Sequence, residues 1–131
     1  LRNYNRARWS DNRFNETYFK IGCLHLEEAL KLNQIIKSID EYNKSSKTKF
    51  YGFDNSILEY EKEKLIHLNK AMKNFKICLY TNNNYQDYEA WNKLSIVYYL
   101  KNMILDSKIC LWLSGNIEIS NLNNIDFNPV K

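Results

Sequence analysis

Apolar residues recur every three or four positions over most of the chain, the period of a helix with one buried face. Phe14, Tyr18, Ile21, Leu24 and Leu26 begin the pattern, and Leu32, Ile35, Ile36 and Ile39 carry it to Tyr42. Asp11 or Asn12 stands where an N-cap would accept an orphan backbone N–H. The stretch "NKSSKTKFYGFDNS" (43–56) interrupts the pattern and reads as the main internal loop. From Ser56 the spacing resumes through Leu58, Leu65, Leu68, Met72, Phe75 and Leu79, then stops at "TNNNYQD" (81–87), where consecutive asparagines favour a turn. A further helix is predicted from Tyr88 to Leu100. A short polar joint at Lys101 and Asn102 leads to one more, reaching Ser114, with Gly115 at the C-cap.

Only three glycines and one proline punctuate 131 residues, so breakers are too few for a many-turned β-protein. The pattern predicts an all-α chain of five or six helices packed as antiparallel pairs, in one domain. Three regions are expected: a basic N-terminal segment (1–11), a helical repeat domain (12–116) and a polar C-terminal tail (117–131). The longest apolar run, Leu94 to Leu100, falls far short of the roughly 20 residues that span a bilayer.

Small and large residues alternate in a recurring arrangement. Ser38/Tyr42/Ser45, Ala71/Phe75/Cys78 and Ser107/Leu111/Ser114 share one spacing, with first members 33 and then 36 residues apart. Ahead of two of these stand Tyr18/Ile21/Gly22/His25 and Trp91/Leu94/Ser95/Tyr98. The arrangement resembles the tetratricopeptide repeat, a helix-turn-helix unit of about 34 residues with W-x2-L-G-x2-Y followed by A-x3-F. The match is best over 68–115, where small residues would let antiparallel helices approach and Trp91, Leu94, Tyr98 and Leu111 would fill the space between pairs. The middle repeat departs from the motif, only Leu58 conforming near its first helix. Serine replaces the motif glycine in the third repeat, and the terminal proline is missing. Another all-α bundle is the alternative, because the steps from Leu58 to Leu79 also suit one long helix.

No constellation of catalytic residues emerges, so an enzyme is not expected, nor a cofactor or metal. His25 and His67 have no second histidine or cysteine at ligand spacing, and His25 is expected to pack within the first helix pair. Cys23, Cys78 and Cys110 are odd in number and far apart, which suggests reduced thiols and an intracellular, cytoplasmic setting. "EYEKEK" (59–64) reads as a solvated helix face, and no glycine-rich loop could cradle a phosphate. "NET" (15–17) and "NKS" (43–45) match the glycosylation sequon, as an asparagine-rich chain will by chance. No signal-peptide pattern opens the chain.

The ten tyrosines supply contact area with a polar tip, which suits a surface for partners. The resemblance implies a protein–protein interaction module, an adaptor or a subunit of a larger assembly, with self-association also open. Its first helices would line a groove for a partner peptide or helix. Glu89, Asn92, Ile96 and Tyr99 would face that groove from one helix, and Glu16, Phe19, Cys23 and Leu26 from the other. Equally, Ile96 and Leu26 would merely pack on neighbouring helices. Family members that grip a C-terminal carboxylate use paired cations, but Glu89 stands where the second would be needed beside Lys93, which disfavours such tails. The net charge of +4 owes much to Arg2, Arg6, Arg8 and Arg13, the only arginines. An RNA-binding helical module led by these four residues is the alternative function.

Overall fold

A computed structural model describes residues 2–45, 51–115 and 128–130, and the side chains of 13–44, 56–81, 83–115 and 128–130. The chain is all-α, with no strand among the described residues. Helix α1 spans Arg2–Ser45, α2 Tyr51–Tyr80, α3 Tyr88–Leu100 and α4 Ile104–Leu113; a 3-10 turn at Thr81–Asn83 follows α2.

Among the described residues there are thus four α-helices, where five or six were expected for the chain. Residues 12–42, read as a helix pair, belong to one uninterrupted helix of 44 residues. Asp11 and Asn12 lie inside it, not at a cap, and residues 2–11 of the basic segment form its opening turns. The sole breaker within α1 is Gly22, and one glycine costs a helix only about 1 kcal/mol. Packing along α1 outweighs that. Helix α2 likewise begins at Tyr51 and runs through Gly52, so both ends of the loop expected over 43–56 are helical, and its middle, 46–50, lies outside the described residues. The residues proposed for the two helices of the middle repeat all lie on this one helix.

Helices α1 and α2 run antiparallel, as three cross-links in reversed order show: Asn15 to Cys78, His25 to His67, and Asn33 to Lys64. At 1.5 Å per residue they are about 66 and 45 Å long. The α3–α4 hairpin, much shorter, packs on the C-terminal half of α2 and touches α1 through α3. The core forms where three helices meet: Leu26 and Ala29 of α1, Leu68, Ala71, Phe75, Cys78 and Leu79 of α2, and Ala90, Trp91, Leu94 and Val97 of α3. Leu58 and Leu65, expected on the buried stripe, are 55% and 48% exposed, because α3 covers only the later turns of α2. Tyr42, at 58%, and Ser38 are also exposed, on the distal part of α1, and play no part in the core. The side chain of Ser45, their third motif partner, lies outside the described residues.

Small residues set the helix spacings. A Cβ on Gly22 would lie 2.7 Å from the Phe75 ring, so the ring rests on bare backbone. Between α3 and α4, the Ser107 hydroxyl donates to the Ser95 carbonyl at 2.6 Å, with both residues fully buried. Trp91 is buried and its indole N–H donates to the Tyr85 carbonyl at 2.9 Å. Asn102 supplies the left-handed backbone (φ 64°) of the joint after α3, and Gly115 (φ 80°) the one after α4, as its position after the last apolar residue predicts.

Gly22→Ala is expected to destabilise the fold despite alanine's better helix propensity. Overpacking against a fixed ring costs about 1–3 kcal/mol, more than the ~1 kcal/mol of propensity gained at its upper end. Thermal unfolding should show a melting temperature lower by several degrees, partly restored when Phe75→Leu is added to Gly22→Ala.

Candidate functional site

The region between α1 and the start of α3 is built around one asparagine. Asn15 of α1 is buried, and its amide donates to the carbonyls of Cys78 at 2.6 Å and Thr81 at 3.0 Å. The first of these carbonyls lies in the last turn of α2 and the second in the 3-10 turn that follows it. Asn84 donates to the same Cys78 carbonyl at 3.1 Å, and the Cys78 thiol donates to Asp87 Oδ2 at 3.6 Å. Asp87 in turn caps α3, its other oxygen accepting the Ala90 N–H at 3.1 Å. The 84–87 loop is thereby fixed to α1 and α2 together, and with it the place where α3 begins.

An open groove of about 420 Å³ results, lined by Asn15, Glu16, Phe19 and Lys20 of α1 and by Asn84, Asp87 and Glu89. Carboxylates predominate: Glu16, Asp87 and Glu89 face a single lysine. That lysine, Lys20, pairs with Glu16 at 3.3 Å across largely exposed side chains, a contact worth under about 1 kcal/mol. Phe19 gives the groove an apolar part. It is half-buried, with its ring 5.8 Å from that of Phe75, so core packing holds it in place. Cys23 stands one turn further along α1, close enough to α3 to feel its charges. Burial raises its thiol pKa above the ordinary value, Lys93 opposes that rise, and Glu89, Glu27 and Asp87 add to it.

The structure brings together Glu16, Phe19 and Glu89, three residues that the sequence assigns to a partner groove. Asn92 and Ile96 follow Glu89 along the same flank of α3, both partly buried, Ile96 against the core. Tyr99 ends that flank in a second hollow of about 450 Å³ with Asn33 and Lys37 of α1 and Glu61 and Lys64 of α2. Leu26 is different. At 3% exposure it belongs to the core, unavailable to a partner. Ten residues beyond Glu16, at about 100° per residue, it has turned some 80° toward α2. Of the basic residues, Arg13 is exposed, and the side chains of Arg2, Arg6 and Arg8 lie outside the described residues.

Two arrangements escape the sequence. Asn15 looks like a chance sequon, and its sign was its position: seven residues before Gly22 and fourteen before Ala29, on the buried face. Engaged with two carbonyls, its amide is not presented for glycosylation. His25, expected to pack within the first helix pair, packs across to α2 instead because that pair is one helix; its Nδ1 lies 3.0 Å from that of His67, 42 residues away. All three cysteines are free, and burial pushes the thiols of Cys78 and Cys110 up to about 12. No group of three or more metal-ligating side chains occurs among the described residues, and no described helix is long and apolar enough to cross a membrane.

Removing the Asn15 donor should loosen the loop that positions α3. Asn15→Ala is expected to cost about 1–3 kcal/mol, since Thr81 loses the Asn15 donor and Cys78 keeps only Asn84. Asn15→Asp should cost more at neutral pH, since it aims a carboxylate at two carbonyl oxygens. Protonation restores a donor there, so the gap between the two variants in denaturant unfolding should close as the pH falls.

The groove and its fold are the basis for any reading of function, since no family model, no curated protein and no solved structure matches the chain.

Proposed function

We propose that this chain is a protein–protein interaction module, an adaptor or assembly subunit that holds a cationic segment of a partner in the groove between α1 and α3. The observation that carries this reading is the convergence of Glu16 and Phe19 from α1 with Glu89 from α3 in one open groove. Three carboxylates against one lysine favour a lysine- or arginine-bearing segment. Phe19 offers a contact for an apolar side chain beside those cations. The same charges repel a terminal carboxylate, so an acidic tail is a poor ligand.

The order of the helices agrees with a tetratricopeptide-like arrangement of two unequal hairpins. Helix α3 packs on α2 and touches α1, so α1 and α3 share one side of the molecule as the first helices of successive repeats do. In this reading α1 and α2 are a lengthened first pair, and α3 and α4 a second of ordinary size. The flank from Glu89 through Asn92 and Ile96 to Tyr99 gives an extended peptide or helix a continuous path between the two hollows.

The test is binding of labelled synthetic peptides of matched length, one set rich in arginine and lysine with a single aromatic residue, the other rich in glutamate. The basic set should bind, more weakly as salt rises. Glu16→Lys combined with Glu89→Lys should weaken that binding at least about tenfold, equal to about 1.4 kcal/mol. Phe19→Ala should reduce binding with little change in its salt dependence. Binding that survives the double charge reversal would refute the groove. RNA binding lost on reversing Arg2, Arg6, Arg8 and Arg13, with no peptide bound, would replace this reading with a nucleic-acid module.

A further inference from the structure

His25 and His67 meet across the α1–α2 interface, away from the groove. Their Nδ1 atoms are 3.0 Å apart and their rings lie 5.3 Å centre to centre, tilted by 33°. Both residues are partly buried. At that distance the two nitrogens form an N–H···N hydrogen bond, which requires one ring to donate and the other to accept. A metal bridge is poorly served here. No third histidine, cysteine, aspartate or glutamate joins the pair among the described residues, and Lys70, one turn beyond His67, repels a cation.

The surroundings also oppose a second charge. Burial lowers the proton affinity of His25 first, and His67 and Lys70, both of α2, lower it further. Glu28, one turn along α1, is drawn to Lys31 at 3.4 Å. On α2, Glu63 is exposed and Lys64 turns to Glu61 and Asn33. Neither α3 nor α4 contributes a group that acts on His25.

We propose that the His25–His67 pair is a proton-controlled latch between α1 and α2, closed until both rings are charged. The neutral pair keeps its hydrogen bond with either ring as donor. One added proton is also tolerated, because an imidazolium Nδ1–H still finds a neutral Nδ1 opposite. Two added protons leave two N–H groups facing each other at 3.0 Å with no acceptor, so the contact breaks. The break is felt beyond the rings because the sequence neighbours Leu26 and Leu68 lie in the core, at 3% and 1% exposure.

The sign follows from linkage. A folded-state histidine that binds its proton more weakly than the unfolded chain supports the fold fully above the unfolded pKa of about 6.5. That contribution is lost as the pH falls from there toward the lower folded value. Two measurements test the latch. In NMR titration of the native chain, the second proton of the pair should bind more than about tenfold more weakly than the first, well beyond statistics. Thermal unfolding between pH 8 and 5 should show the wild-type melting temperature falling more steeply than that of a His25→Gln, His67→Gln double variant. Two rings titrating independently near 6.5, or parallel losses of stability in the two proteins, would overturn the latch. The titration needs no variant, so a poorly folding double variant would not leave the proposal untested.

Discussion

The ring of Phe75 rests on the backbone of Gly22, and that contact fixes how near the two long helices lie. With any Cβ at position 22 the ring would have to move, yet Phe75 is wholly enclosed and has nowhere to go. The approach brings Leu26 and Ala29 of α1 against Leu68 and Ala71 of α2, and it lets Asn15 reach the carbonyls at the end of α2. A serine repeats the device in the shorter hairpin. Ser107 approaches closely enough to bond the backbone of Ser95, where a larger side chain would hold α4 away. In both pairs the close approach depends on a residue with little or no side chain opposite a ring or a backbone.

Much of this was legible in the sequence, for a physical reason. Ala71/Phe75/Cys78 and Trp91/Leu94/Ser95/Tyr98 announce tight helix packing because volume is conserved where helices touch, and all seven residues are buried. Asn102 and Gly115 announce the turns because left-handed backbone restricts the residue type. Helix ends were less legible. A cap residue such as Asp11 or Asn12 favours a terminus only where the chain has no stronger reason to continue, and the packing of α1 supplies one. The polar run after Tyr42 misled in the same way: Ser, Lys and Asn lower helix propensity by only tenths of a kcal/mol per residue. Spacing alone also said nothing of which turns α3 would cover, which is why Leu65 is exposed and Leu68 is not.

The groove residues were only partly legible. Glu16, Phe19 and Glu89 converge because helical spacing aligns the first two and because α3 starts beside them. That start depends on the chain of bonds from Asn15 through Cys78 and Asn84 to Asp87, which joins positions more than 60 residues apart. No periodicity encodes such a tie. Leu26 shows the converse limit: its type suits a groove or a core equally well, and only the turn of α1 decides between them.

Helix α1 therefore carries three different environments around its circumference. Gly22, Leu26 and Ala29 face the dry core; Glu16 and Phe19 flank it on the side of α3; and His25 flanks it on the other, against α2. The two flanks tolerate charge differently for the same dielectric reason. Glu16 and Glu89 beside the groove are exposed, so water solvates and screens their charge. A second positive charge at the partly buried histidines would meet Lys70, while Glu28 is drawn to Lys31 and Glu63 is exposed. In the latch we propose, acidification strains the side of α1 that faces α2, and the groove lies on the opposite flank.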